Sequence, residues 1–245
     1  MSAREPAFRD AVRDRYNQIE TIWDDADAWH QIVRRQIADA VRRLNRQHPG
    51  PHELVVDVGS GGEEQPIPHR GYIQLDLASD RLKGMRMAAC ADAHALPLRD
   101  GSADCLVCVG SVANYCSLIE LTQEFGRTCA DGGLLLFHVE LSNSLEYLFR
   151  PEFRAMAALA TTHYQGRPEQ TWVYSHRNVR QALGSAGFDV LDARYFHIAS
   201  ALAHRLGLAP GRAARLTKLD ALLGRLPGIA SVSDSAIFTC VRRAS

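Results

Sequence analysis

Apolar residues fall in two rhythms along this chain. Phe8, Val12, Tyr16 and Ile19 recur at three- to four-residue spacing, and Ile32, Val33, Ile37, Val41 and Leu44 repeat it, so the spacing predicts helix over residues 7–46. "HPGPHE" (48–53) breaks that pattern. "LVVDVG" follows, an uninterrupted apolar run of the kind buried on both faces of a parallel sheet. Further strands are expected at "YIQLDL" (72–77), the weaker "MRMAACAD" (85–92), "ADCLVCVG" (103–110), "LLLFHVE" (134–140), "FDVLDARYF" (188–196) and "SAIFTCVRR" (235–243). Between them, "LIELTQEFGRTC" (118–129) is amphipathic helix. "SHRNVRQALGSAG" (175–187) is a helix opened by a serine cap and closed by glycine.

Strands alternating with helices predict an α/β fold. The expected form is a three-layer, doubly wound Rossmann-like sheet of seven strands, mostly parallel, with an antiparallel last strand. No internal repeat or low-complexity linker divides residues 1–245, so one domain is expected. It would carry an N-terminal helical cap (about 1–47), a cover segment (about 141–174) and a helical insertion (about 198–231). In the insertion Leu216, Leu219, Leu222, Leu223 and Leu226 mark one helical face. That face suits packing on the sheet edge, a lid over a pocket, or a patch for an amphipathic substrate or membrane surface.

Composition narrows the classes. The 28 basic residues balance 28 acidic ones, which removes bulk electrostatics as a route to nucleic acid. Lys83 and Lys218 are the only lysines, a habit expected of a GC-rich, bacterial source. The first residues are charged and lack an apolar core, and no apolar run is long enough to cross a bilayer. A cytoplasmic protein without a signal peptide is therefore expected. The six cysteines lack a disulfide rhythm and read as reduced, buried thiols. Cys105 and Cys108 sit three apart in a strand, which points them to opposite faces and removes a zinc reading. No metal site is expected.

Candidate chemistry begins at Asp57-Val-Gly59-Ser60-Gly61, a strand end followed by a glycine turn. Alone this is a weak signal. Asp76 ends the second strand about twenty residues on, where a doubly wound sheet places an acid for ribose hydroxyls. Asp92 ends the third strand and opens "ADAHALPLRDGSADCLV", and "EFGRTCADGGLLLF" leads into the fifth. Glu63 stands where such a turn keeps a third glycine. Pro66 and Pro68 interrupt the helix that should follow, so that helix is expected to be short, displaced or replaced by loop.

In this order, the features resemble the class I S-adenosylmethionine-dependent methyltransferases, in their small-molecule (methyltransferase type 11-like) branch. "LGSAGFDV" is similar to that family's late L-x-x-A-G-F element. The resemblance implies S-adenosyl-L-methionine as cofactor. Gly59, Ser60 and Gly61 would form the turn against its methionine part, and Asp57 would orient that turn and meet the ammonium through water. Asp76 would hold the ribose with Leu77 on the adenine face. Asp92 and the Ala93 backbone would read the adenine edge. Gly110 would meet the methionine end, and Tyr16 would close over the cofactor. Because this ligand has no pyrophosphate, a lost first helix weighs more against a dinucleotide than against it.

An acceptor would approach from the carboxyl ends of strands four and five. Tyr115 and His138 are the catalytic candidates. Asn114 lies beside the first, and Glu140 shares a strand face with the second, as a base and its orienting carboxylate would. His163, Tyr164, Tyr174 and His176 could reach the pocket from the cover. The expected activity is in-line methyl transfer to a small or amphipathic metabolite, without nucleic-acid or integral-membrane partners. Glu63 and the interrupted helix leave a second reading: a repurposed fold that binds S-adenosylmethionine without transfer, as a cyclase-like enzyme or regulatory module.

Overall fold

The computed structural model describes residues 4–164, 167–224, 226 and 228–244. Two helices, α1 (Arg4–Gln18) and α2 (Ala28–Gln47), precede β1 (His52–Val58), β2 (His69–Asp76), β3 (Ala88–Cys90) and β4 (Ala103–Cys108). Then come α3 (Leu118–Thr128), β5 (Cys129–Glu140), β6 (Ala157–Tyr164), β7 (Arg167–Tyr174), α4 (His176–Ser185) and β8 (Phe188–Phe196). Three short helices, α5 (Ala199–Arg205), α6 (Pro210–Ala213) and α7 (Thr217–Leu223), lead to β9 (Ser235–Arg242).

Seven strands form one sheet in the order β3-β2-β1-β4-β5-β9-β8. Every pair from β3 to β5 is parallel, and β9 runs antiparallel to both β5 and β8. The expected fold class is the observed one. Strand order reverses between β1 and β4, which opens a crevice at the carboxyl ends of the strands.

Alternation within each strand feeds two cores. Leu106, Phe137 and Phe238 pack with Leu121, Phe125, Val179 and Leu183 of α3 and α4 on one face. Val55, Val107, Leu136 and Ile237 meet Val33, Ile37, Val41 and Leu44 of α2 on the other. Cys105 joins the second core and Cys108 the first, so they do face opposite ways. Cys90 departs from the expectation of buried thiols and is exposed at the short β3 edge.

Two further corrections, and one expectation that the structure bears out, concern local structure. Residues 7–46 form two helices rather than one. The chain leaves α1 after Gln18, and α2 restarts where Asp27 caps it, Oδ1 accepting from the N–H groups of Trp29 and His30. The stretch between the glycine turn and β2 holds no helix; it is loop, consistent with Pro66 and Pro68. The third strand shrinks to three residues.

Residues 157–174, expected only as a cover, contain an antiparallel hairpin of β6 and β7, separate from the main sheet. In the expected insertion, Leu219, Leu222 and Leu226 are exposed. Among the described residues no helix is long and apolar enough to cross a membrane.

Candidate active site

β1 delivers Asp57 into the crevice and then turns sharply. Gly59 and Gly61 take φ of +70° and +61°, a region where side chains are disfavoured. A Cβ on Gly59 would lie 2.4 Å from Val112, and one on Gly62 would lie 2.4 Å from the backbone oxygen of Arg81. Gly62 thus supplies the close approach for which Glu63 left no glycine. Glu63 itself pairs with Arg34 of α2 at 3.4 Å.

Asp76 ties this turn to the tip of β2. Its Oδ2 accepts from the Gly61 N–H and its Oδ1 from the Ala78 N–H, each at 2.8 Å. Burial raises its pKa, opposed by those two backbone donors. Asp57 is more enclosed: Oδ2 accepts from the Tyr72 hydroxyl at 2.7 Å, while Oδ1 is buried without a partner. Burial pushes its carboxyl up to about 7.

Asp92, past β3, accepts from His94 through Nδ1 at 2.7 Å. Because His94 Nε2 accepts from the Ser117 N–H at 2.9 Å, the ring is the neutral tautomer with its proton on Nδ1. That hydrogen bond is the main reason the Asp92 carboxyl stays well below the usual carboxylate range. Arg9, reaching down from α1, pairs with the other oxygen.

These groups share one cavity of about 1300 Å³, measured out to its open mouth. Its lining includes Tyr16, Asp57, Gly59, Ser60, Gly61, Asp76, Leu77, Asp92, Ala93 and Gly110, every position that the resemblance assigned to the cofactor. Arg9, Val12 and Tyr16 line it together, so part of the α1 stripe that reads as a core face is a cavity wall.

At the far end, Ser111 holds φ +66°, a left-handed conformation rare outside glycine. It is fixed from two sides: its N–H donates to His138 Nδ1 at 2.9 Å, and its hydroxyl to Glu140 Oε1 at 2.7 Å. Glu140 lines the cavity, and burial, with Asp234 nearby, pushes it up to about 7.

Tyr115 also lines the cavity. It accepts from the Tyr16 hydroxyl at 3.0 Å, and burial holds its pKa well above the phenolic value. Its hydroxyl is thus committed to a neighbour and costly to ionise.

The structure separates His138 from this group. The ring is completely buried, stacked on Phe196 at 5.7 Å, and is not part of the cavity wall. With Nδ1 accepting from Ser111, the proton sits on Nε2, and burial lowers the pKa to about 3. No bond joins His138 to Glu140, so the expected base and its carboxylate are not a pair among the described contacts.

Asn114 faces structure as well, bridging Glu140 and Trp172 through backbone bonds. Of the cover candidates, Tyr164 lines the cavity, His163 is exposed, and Tyr174 and His176 lie outside the wall.

Sequence reasoning missed several wall residues with polar or aromatic chemistry, among them Arg9, Trp23, His30, His94, Ser111 and Glu169. His30 carried one readable signal, its position three residues after the capping Asp27. Its Nδ1 lies 2.6 Å from Asp27 Oδ2, and its ring is 4.7 Å from that of Tyr164.

The chemistry of this lining suits a cationic nucleoside. Asp57, Glu63, Asp76, Asp92, Glu140 and Glu169 face the cavity with Arg9 as the one arginine. Asp57 keeps an oxygen in reserve, and the turn has no helix N-terminus for a pyrophosphate. A ligand with an ammonium, a sulfonium and a ribose fits these donors and acceptors. Fold and lining therefore define a Rossmann-like nucleoside-cofactor site of the methyltransferase kind.

Comparison with known proteins agrees. Residues 56–137 match a family model described as a methyltransferase domain. A malonyl-[acyl-carrier protein] O-methyltransferase of Geobacter sulfurreducens is 34% identical over 179 residues. That alignment takes in 67% of this chain and 66% of the relative, just under two thirds of the relative's length.

Among solved structures, geranyl diphosphate C-methyltransferase of Streptomyces coelicolor A3(2) superposes with a TM-score of 0.59 at 12% identity. It covers 96% of this chain and 98% of its own. An S-adenosylmethionine-dependent methyltransferase of Clostridium acetobutylicum gives 0.58 at 10% identity, with 96% and 99% coverage. These two establish the fold. Over residues 56–137 the chain therefore carries a methyltransferase domain, on the fold of the class I S-adenosylmethionine-dependent methyltransferases.

Proposed function

We propose that this chain transfers the methyl group of S-adenosylmethionine in line to a small or amphipathic acceptor that enters between α1, the β4 and β5 ends and the β6–β7 hairpin. The observation that carries it is a single cavity joining the cofactor residues to a polar, aromatic end that they leave free. When bound, the cofactor supplies a methyl already activated on sulfonium.

The protein's part is to hold, align and keep dry. Asp76 is the ribose anchor, with Leu77 beside it. Asp92, set by His94 and Arg9, is the acid for the base edge. Gly59, Ser60 and Gly61 admit the amino-acid portion, and Asp57 balances its charge. Tyr16 and Arg9 on α1 act as the cap, and residues 141–174 as the cover. Ser111, held by His138, aims Glu140 into the acceptor end; Tyr115, bonded to Tyr16, shapes its wall.

The relative's malonyl acceptor does not transfer easily, because Glu140, which has no ion-pair partner among the described residues, would repel a carboxylate. The repurposed-fold reading keeps the missing first helix in its favour, while Gly62 supplies a close approach beside Glu63.

The test combines calorimetry with S-adenosylhomocysteine and mass spectrometry of methyl-labelled cofactor against panels of amines, alcohols, thiols and carboxylates. Cofactor binding with labelled product is expected. Tight binding without product on any panel overturns the transfer reading.

A further inference from the structure

We propose that the acceptor end of the cavity is an amine site, in which Glu140 and the rings of Tyr16 and Tyr115 receive the ammonium form and His30, oriented by Asp27, takes its proton. The proposal rests on the methyl-transfer reading above and names its substrate class.

The charge pattern comes first. Glu140 projects into the cavity with Oε1 held by Ser111, and among the described residues no ion pair neutralises it. Glu169 differs, since Arg15 pairs with it at 3.1 Å. A lone half-buried carboxylate is costly unless a ligand supplies the countercharge.

The rings come second. Tyr16 lies 5.7 Å from Tyr115 at a steep angle and 6.4 Å from Tyr164 in a stack. Their hydroxyls are engaged with neighbours: Tyr16 donates to Tyr115, and Tyr164 to the Ile22 carbonyl. What Tyr16 and Tyr115 offer a ligand is therefore their rings, whose faces attract cations, while the Tyr164 ring already carries Arg15 at 5.7 Å.

The base comes third. An ammonium has no lone pair for attack until a proton leaves. His138 is outside the wall, and the phenols are committed. His30 remains, on the wall, with Nδ1 directed to Asp27 Oδ2 at 2.6 Å. That bond places the neutral ring's proton on Nδ1 and leaves the Nε2 lone pair as acceptor. Asp27 is itself anchored as the α2 cap. This is the arrangement of a base with its orienting carboxylate.

The step balances. One N–H bond of the ammonium breaks and its proton passes to His30 Nε2. The freed nitrogen lone pair forms the N–C bond, and the methyl–sulfur bond breaks with its electron pair left on the now neutral sulfur. The charged and titratable groups facing His30 are Asp27 on its own helix, His138 and Glu140 of β5, Tyr164 of β6, Glu169 of β7, and His197 after β8.

The test uses full-length protein saturated with S-adenosylhomocysteine, titrated calorimetrically with 2-phenylethylamine and hexylamine and with their alcohol and carboxylate isosteres. Amines should bind at least about tenfold tighter than either isostere, and Glu140→Gln should erase that preference. Equal binding, or tighter binding of an alcohol or carboxylate, overturns the amine site. Failure of S-adenosylhomocysteine to bind at the outset instead removes the methyl-transfer reading.

For the base, His30→Gln should leave amine affinity within about threefold but slow single-turnover transfer by about a hundredfold, recovering as pH rises and the free amine appears. Asp27→Asn, which keeps the helix cap, should give a smaller loss with the same recovery. A loss that high pH does not restore, or unaltered transfer, overturns the role of His30.

Discussion

Asp76 Oδ2 accepts the Gly61 N–H at 2.8 Å, so the acid at the tip of β2 and the glycine turn at the tip of β1 form one unit. Removing the carboxylate strips a ribose acceptor and loosens the turn together. Asp76→Ala should weaken S-adenosylhomocysteine binding by about 2 kcal/mol, roughly thirtyfold. Titration calorimetry reads this directly, and unchanged affinity would take Asp76 out of the site.

Gly62 has φ +83° and an Arg81 carbonyl where a Cβ would stand. Gly62→Ala combines left-handed strain with a backbone clash, and should cost about 2 kcal/mol of stability. Thermal unfolding should show a Tm lower by about 4–8 °C for this chain length. A Tm equal to the parent's contradicts the close-approach role.

Asp57 and Glu140 both stand near 7 through burial. Each binds more protons than its ordinary value allows, and a cationic ligand favours the ionised form. Cofactor binding below neutrality should therefore release protons, and affinity should rise as pH rises toward 7. Calorimetry in buffers of different ionisation enthalpy measures the release, which Asp57→Asn should reduce. Identical heats in all buffers would contradict this.

His138, with its pKa lowered to about 3, is neutral in the fold but protonates ordinarily near 6.5 when unfolded. The unfolded chain thus binds more protons between those values. The stability that His138 lends is full above 6.5 and is lost as pH falls toward 3. Against parent protein, His138→Gln should be least favourable at neutral pH and gain relative stability on acidification. Urea unfolding across that range checks the sign, and a gap that widens in acid would refute it.

The chain itself dictated the sheet, because long apolar runs such as 54–59 and 134–140 have no stable home except between two helical layers. The acids and glycines of the cofactor end were equally legible: their roles depend on backbone turns at strand ends, which short spacing specifies. The β6–β7 hairpin escaped because β6 is written largely in alanine and threonine and β7 opens on Arg-Pro-Glu-Gln, patterns too weak to read as a buried face. The acceptor end escaped for another reason. His30, Glu140, Glu169 and the three tyrosines come from α1, α2 and four strand ends or loops, and no local pattern says which of them meet. His138 shows the limit most plainly, for strand alternation gives a side chain's face but not whether that face is core or crevice. Only packing decides that, by letting Phe196 and the Ser111 N–H cover the ring before a ligand can reach it.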